Sequence, residues 1–374
     1  MKIIITGDLY ITDQFINKQI IDKSVKELFS QADYRIVNLE APLTEDDAGD
    51  KIIKTGPHLR MSEEAALGVL KELNVDGVTM ANNHILDYGS KGLLDTLDVL
   101  KRNNFAYVGA GRNLAEASQT LYLDTPAGKI AIVNFAENEW ASATDDKAGA
   151  NPMDIVDNAR QIKVARQMAD YVFVIVHGGH EYYNLPSLRM QKQYRFYAEQ
   201  GADIIIGHHT HCIGGNEVHE GVPIYYSLGN FLFTLNSLQE DWYTGLILEV
   251  EITNESIECH VHPVRQQKEN FHLTLLKNYE KDAVLNRIAD FCRVIENKDR
   301  LQSNWEKYVE RQSKLYLSFW SPLAHIKNRY IKAALSRLNI NATNNKTLAL
   351  FLNLMRCEAH SDMSREVIKK KINR

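Results

Sequence analysis

Short apolar runs and amphipathic segments alternate along the chain as far as about residue 210. The runs include Lys2-Ile-Ile-Ile-Thr6, Tyr34-Arg-Ile-Val37, Tyr171-Val-Phe-Val-Ile-Val176 and Asp203-Ile-Ile-Ile206. Each is too short for a stable helix and rich in β-branched residues, as suits a strand buried on both faces. The pattern predicts strands over 2–6, 34–38, 76–80, 105–108, 129–135, 171–177 and 203–207. Between them apolar positions recur at helical spacing, which predicts helices over 17–30, 62–73, 90–103, 155–169 and 187–200. Such alternation builds βαβ units around a largely parallel core and places the chain in the α/β class.

Beyond residue 210 the period changes. Residues 222–226, 245–250 and 256–264 read as strands with no helices between them, expected as antiparallel strands on the second half of the sheet system. From about residue 272 the pattern is helical, with Leu285, Ile288, Ala289, Cys292 and Ile295 on one face. A second helix is predicted over 299–319. Ser321-Pro322 fits an N-cap with proline at the first helical position, opening a helix to about Leu338. The polar stretch 339–345 breaks the pattern, and a last helix runs from about Thr347 to the end.

Charge separates the two parts. Of 374 residues, the last 76 (299–374) hold 15 Lys and Arg against 6 Asp and Glu, a net of +9. Residues 1–298 carry a net of −14, so the whole chain stands at −5, which points to no nucleic-acid partner. A helical appendage with a solvated basic face is the plain expectation for the tail. Attachment to an anionic membrane surface or an anionic polymer is the other. On either view, deleting residues 299–374 is expected to change solubility or partner binding more than chemistry. Four scattered cysteines with no Cys-x-x-Cys, and no apolar stretch of signal or membrane-spanning length, lead to an expected cytoplasmic location, with peripheral membrane contact through the tail as the variant.

The strand ends carry the chemistry. The first strand runs into Gly7-Asp8, the second into Asn38-Leu39-Glu40, and the third into Asn82-Asn83-His84. The run ending at Val176 leads to His177-Gly-Gly-His180-Glu181, and the run ending at Ile206 to Gly207-His-His-Thr-His211. In parallel sheets, sites form in the crevice at the carboxyl ends of strands. Carboxylates, an amide and imidazoles without cysteine suit Mn²⁺, Fe²⁺ or Zn²⁺. These donors exceed what one tetrahedral ion needs, so the expected cofactor is two divalent metal ions bridged by a carboxylate. Such a pair activates water and clamps phosphate oxygens, and a further imidazole protonates the leaving oxygen; His84, beside Asn83, fits that demand.

Those stretches, with Ala81-Asn-Asn-His-Ile-Leu-Asp-Tyr-Gly89 and Tyr226-Ser-Leu-Gly-Asn-Phe231, resemble the CapA family, which is associated with poly-γ-glutamate capsule synthesis and belongs to the calcineurin-like metallophosphoesterase superfamily. The resemblance covers roughly residues 1–265. It implies a metallophosphoesterase-like α/β/β/α sandwich over 1–268, followed by a helical, basic extension over 269–374. It implies Asp8 and His211 as ligands of the first metal, Glu40 as the bridge, and Asn83, His177 and His209 as ligands of the second. His84 resembles the general acid, with Asp87 orienting it, while Glu181, Tyr182 and Asn230 are candidates for substrate binding. Two positions depart from the pattern: Tyr10 stands where the superfamily carries a first-metal histidine, and Gly178 where many relatives carry Trp. His208 is an additional histidine with no assigned role.

The resulting expectation is a metal-dependent hydrolase of phosphoesterase type, linked to capsule or surface-polymer biosynthesis. Its substrate would be a phosphorylated or polyanionic small molecule or polymer. The alternative is a non-hydrolytic, metal-containing binding component of a machinery that makes or exports a polyanionic polymer.

Overall fold

The computed structural model describes residues 1–45, 51–253, 256–320, 330 and 345–372. In chain order the first half comprises β1 (Lys2–Tyr10), α1 (Lys23–Ser30), β2 (Tyr34–Leu39), α2 (Glu63–Glu72), β3 (Gly77–Thr79), α3 (Gly89–Arg102), β4 (Ala106–Val108), β5 (Ala110–Gly111), α4 (Leu114–Ala117), β6 (Leu121–Thr125), β7 (Gly128–Ala136) and β8 (Gly149–Ala150). Then follow α5 (Ile155–Met168), β9 (Tyr171–His177), α6 (Leu188–Glu199), β10 (Ile204–His208), β11 (Asn216–His219), β12 (Val222–Tyr225), β13 (Asn230–Phe233), β14 (Thr244–Ile252), β15 (Ile257–Gln266) and β16 (Leu273–Leu275). The last elements are α7 (Asn278–Ile295), α8 (Lys298–Trp320), α9 (Asn345–Arg356) and α10 (Glu358–Ile372).

The strands form two principal sheets rather than one. The first has the order β16-β15-β14-β1-β2-β3-β4, with β13 also pairing β1. The second has the order β11-β12-β10-β9-β7-β6. Alternation within strands decides how they stack. Ile3, Ile5 and Ile36 of the first sheet meet Ile132, Phe173, Ile175, Ile204 and Ile206 of the second in one buried cluster. The intervening residues face outward: Ile4, Val37 and Val78 pack with Phe29, Leu70 and Leu97 of α1, α2 and α3. Val133, Val174 and Ile205 pack with Ile162, Tyr194 and Tyr197 of α5 and α6. The layers are therefore helix, sheet, sheet, helix, the α/β/β/α arrangement that the resemblance implied.

The strands and helices predicted before residue 210 are all present, with ends shifted by a few residues except at one place. The helix expected over 17–30 begins only at Lys23, where the Asp22 carboxylate accepts from Ser24 N. Ile21 before it bridges Leu273 instead. Of the later strands, β14 and β15 are antiparallel as expected and join the first sheet, β14 beside β1 and β15 beside β14, whereas β12 lies parallel to β10 in the second sheet. The short strands β6, β11, β13 and β16 carry no periodic signal long enough to read. The last predicted helix is two, α9 and α10, meeting at Cys357. The helix expected from Pro322 to Leu338 lies outside the described residues.

One glycine is demanded where β1 changes partners. Residues 2–6 pair antiparallel with β14, and residues 8–10 pair parallel with β13. At Gly7 between them, an added Cβ would lie 1.8 Å from the Gly229 carbonyl oxygen, so no other residue allows this approach.

Candidate metal centre

Six donor residues from five strands converge between the two sheets. Asp8 opens the stretch of β1 that runs parallel to β13, Glu40 follows β2, and Asn83 follows β3. His177 closes β9, and His209 and His211 follow β10. Both of the latter have left-handed backbones, φ 89° and 53°. That turn lets two nearly adjacent imidazoles face one crevice after the strand has ended.

All six residues are buried. Around one point lie Glu40 Oε1, 3.6 Å from His177 Nε2, and Asn83 Oδ1 and His209 Nδ1, each 3.1 Å from the same nitrogen. Around a second lie Asp8 Oδ2, 3.6 Å from His211 Nδ1, and Glu40 Oε1, 3.7 Å from His211 Nε2. Glu40 thus belongs to both groups. Its two oxygens are buried and neither has a hydrogen-bond partner. A carboxylate in that state costs several kcal/mol unless a cation meets it. Burial pushes the Asp8 carboxyl up to about 7, and burial followed by the Asp8 charge pushes Glu40 well above the ordinary range. Burial also drives His209 down to about 4 and His211 to about 3. The imidazoles are therefore neutral, the form that ligates, and the carboxylates lack only positive charge. These residues fit a pair of divalent cations.

The surroundings orient these groups. Asn38 Nδ2 donates to Asp8 Oδ1 at 2.7 Å, and Thr79 Oγ1 donates to Asn38 Oδ1 at 3.1 Å. Asn230 Oδ1 lies 2.9 Å from His211 Nδ1 and its Nδ2 donates to the Trp242 carbonyl, so the amide orients an imidazole of the centre. His84 Nδ1 sits 2.7 Å from Asp87 Oδ2, and Lys54 pairs with the other Asp87 oxygen. Against the push of burial, His84 and Lys54 hold Asp87 below the usual carboxylate range. Leu59 N also donates to Asp87, a third contact that fixes the carboxylate.

Two further histidines lie nearby. His180, in the same cluster as His177 by sequence, packs on Trp305 of α8 with ring centroids 4.8 Å apart and planes tilted by 43°. His208 pairs in register with His177, and a ring nitrogen of it lies within 4.8 Å of donor atoms of Asp8 and His177, with neither ring nitrogen hydrogen-bonded. Tyr10 packs on Phe233 in the apolar cluster and adds no donor. At Gly178 a Cβ would meet Glu137 Cγ at 2.7 Å, so the buried Glu137 takes the room a larger residue would need.

Glu139 was missed. It follows β7, its Oε1 lies 3.5 Å from His209 Nε2, and its Oε2 accepts from Asn83 Nδ2 at 3.5 Å. The rule that found the other strand ends applies equally to Glu137-Asn-Glu139 after the 129–135 run. The larger correction concerns the tail. Glu139, Glu181, Tyr182 and His209 line a cavity of about 260 Å³ with Tyr308, Gln312 and Tyr316 of α8 and His360 of α10. The tail is therefore part of the site's wall, and its deletion would open the site.

Fold and centre together define an α/β protein with a buried oxygen-and-imidazole cation site between two sheets. The description of the family "Bacterial capsule synthesis protein PGA_cap" matches residues 2–235, and the chain belongs to that family. It is 36% identical over 215 residues to "PGA biosynthesis protein CapA" of Bacillus subtilis (strain 168), covering 56% of this chain and 55% of that protein. It is 34% identical over 218 residues to "Capsule biosynthesis protein CapA" of Bacillus anthracis, covering 56% and 53%. The chain thus spans about half the length of the curated relatives it matches. Among solved structures, a "novel phosphatase" of Mycoplasma pneumoniae aligns with TM-score 0.45 and 17% identity, over 72% of this chain and 95% of that one. A "Putative 5'-Nucleotidase" of Staphylococcus aureus aligns with TM-score 0.45 and 14% identity, over 78% and 58%.

Proposed function

We propose that the chain is a metal-dependent hydrolase of phosphoesterase type working in capsule or surface-polymer biosynthesis. The observation that carries this reading is Glu40, a buried carboxylate with two unpartnered oxygens, within 4 Å of imidazoles from both donor groups. Asp8, Glu40 and His211 would hold one cation, and Glu40, Asn83, His177 and His209 the other. When bound, such a pair lowers the pKa of water and offsets charge developing on phosphoryl oxygens. The protein's own part is orientation and proton movement. Asp87 fixes His84 through Nδ1, which leaves Nε2 to give a proton to the leaving oxygen. Membership of a capsule-synthesis family supports the surface-polymer setting.

Tyr10, where a histidine would complete the first metal's ligands, favours a second reading: a metal-containing binding component that performs no hydrolysis. Assay of the Mn²⁺-loaded chain against phosphomonoesters and diesters separates the two. Turnover that disappears on chelation supports the hydrolase. Tight metal binding with no turnover on any substrate supports the binding component.

A further inference from the structure

We propose that the cavity between the metal centre and the C-terminal helices is a subsite for a compact group that donates hydrogen bonds and carries no negative charge. The proposal rests on the hydrolase reading for what happens next to the cavity, but not for the cavity's own selectivity.

Location comes first. His209 belongs to the metal centre and also lines the cavity, and Glu139 Oε1 stands 3.5 Å from its Nε2. A molecule held at the centre by its anionic end must project its next atoms into this space. Size comes second. About 260 Å³ lies below the roughly 300–1,000 Å³ of sites for drug-sized ligands. The space takes a terminal group or a small precursor, not the middle of a threaded polymer.

Chemistry comes third. The cavity presents the carboxyl groups of Glu139 and Glu181, the amide of Gln312, and the rings of Tyr308, Tyr316 and His360. A carboxylate-bearing group would face two acids, with no Lys or Arg side chain among the described lining residues to pair with it. An ammonium group gains from both carboxyls and from the aromatic faces, and a hydroxyl-bearing group gains from the same acceptors. The metals would attract the anionic end, and this wall sorts what is attached to it.

The wall is also fixed in place. Asn138 donates to Glu358 through N at 3.2 Å and Nδ2 at 2.8 Å. Arg189 ties Glu137 to Asp362. Tyr308 OH donates to the Glu181 carbonyl at 3.4 Å, and Tyr316 OH lies 3.0 Å from His360 Nδ1. Tyr308, Tyr316 and Trp305 share a buried cluster with Tyr183 of the main body. Walls held this way select by shape, because little ordering is left to occur on binding.

The test uses the full metal-loaded chain and three phosphomonoesters: ethanolamine phosphate for the ammonium, glucose 1-phosphate for hydroxyls, and 3-phosphoglycerate for a carboxylate. Binding is read by calorimetry, metal content by elemental analysis, and turnover separately. Gln312 is half-buried and lines the cavity, so Gln312→Trp narrows it from α8. We expect the first two esters to bind at least about tenfold more tightly than the third, and Gln312→Trp, which adds bulk to the cavity lining, to weaken them about 10- to 100-fold. Affinity for inorganic phosphate and metal content should not change. The tighter of the first two esters identifies the donor as ammonium or hydroxyl. Unchanged affinity in Gln312→Trp, or 3-phosphoglycerate binding best, overturns the proposal. If Gln312→Trp loses metal, His360→Ala carries the same comparison, and unchanged ester affinity there is equally fatal. Selective binding without turnover leaves the subsite standing and removes the hydrolase reading.

Discussion

Asp8, Glu40 and Asn83 reach the crevice from the first sheet, and His177, His209 and His211 from the second. The two sets differ in more than atom type. Burial leaves the first sheet with carboxylates whose charge nothing in the protein neutralises, and neither carboxylate oxygen of Glu40 has a hydrogen-bond partner. Burial leaves the second sheet with imidazoles that are neutral and easily kept so. Electrostatic cost is concentrated on one side of the interface and geometric constraint, in the left-handed backbones of His209 and His211, on the other. A cation between them relieves the first and uses the second.

The largest effect should come from breaking the costly side. Glu40→Met should abolish metal binding, seen as an affinity loss beyond the roughly 10- to 100-fold that even an outer support residue brings. In metal-free protein the same change should raise stability by about 1–3 kcal/mol, because an apolar side chain replaces an unsatisfied buried carboxyl. His209→Gln should also lose metal but leave metal-free stability nearly as it was. Denaturant unfolding with and without chelator measures both. Equal metal-free stability in the two variants would erase the asymmetry between the sheets.

His84 is the imidazole that the first sheet brings to the crevice, and its pairing with Asp87 suits it to protons rather than metal. His84→Ala should keep its metal and lose turnover by about 100- to 10,000-fold, less for substrates with activated leaving groups. If elemental analysis finds its metal gone, His84 belongs with the ligands. Next in size is a residue that crosses the divide. Asn230 stands on the first sheet and orients His211 of the second. Asn230→Ala should weaken metal binding about 10- to 100-fold in calorimetry, with an unchanged far-ultraviolet spectrum. Affinity equal to wild type would mean that His211 needs no such support.

The smallest effect is a control on the first sheet away from the crevice. His262 on β15 lies 3.1 Å from Glu249, and burial, opposed by Glu249, lowers its pKa from the ordinary 6.5. In the folded state it therefore binds a proton less readily than in the unfolded state. Its contribution is intact above pH 6.5 and is lost as pH falls below that value. His262→Gln should flatten the fall in Tm between about pH 7 and 5.5 by a degree or two, roughly a few tenths of a kcal/mol, and leave metal content alone. A steeper fall in the variant would reverse the sign.

The ligand positions could be read from sequence because each follows a buried strand, and strand ends of parallel sheets gather by topology. The same logic, carried one strand further, reaches Glu139. Two things could not be read. The division into two sheets depends on where β4 hands over to β6 and β7, and no local pattern marks that crossing. The tail's place in the site depends on Tyr308, Gln312, Tyr316 and His360 meeting Glu139 and Glu181 across more than a hundred residues. Its helical period and net positive charge describe its solvent face and say nothing of the side turned inward. An asparagine after a strand, such as Asn230, looks alike in sequence whether it serves a ligand or a neighbour.

The place of β1 has a consequence for how the protein is made. β1 is synthesised long before β13 and β14 yet forms the middle of its sheet, and its partners there include Glu251 opposite Lys2 and Asn230 opposite Asp8. Until those residues have been synthesised, one edge of β1 stays open, offering a ladder of unpaired backbone groups to any other nascent chain. The early βα units can form in order, but the first sheet closes only when the late strands return, and long-range closure of this kind is slow. A messenger truncated before β13 therefore encodes an aggregating fragment rather than a smaller folded unit. Anything that shelters β1 during translation would raise the yield of this protein.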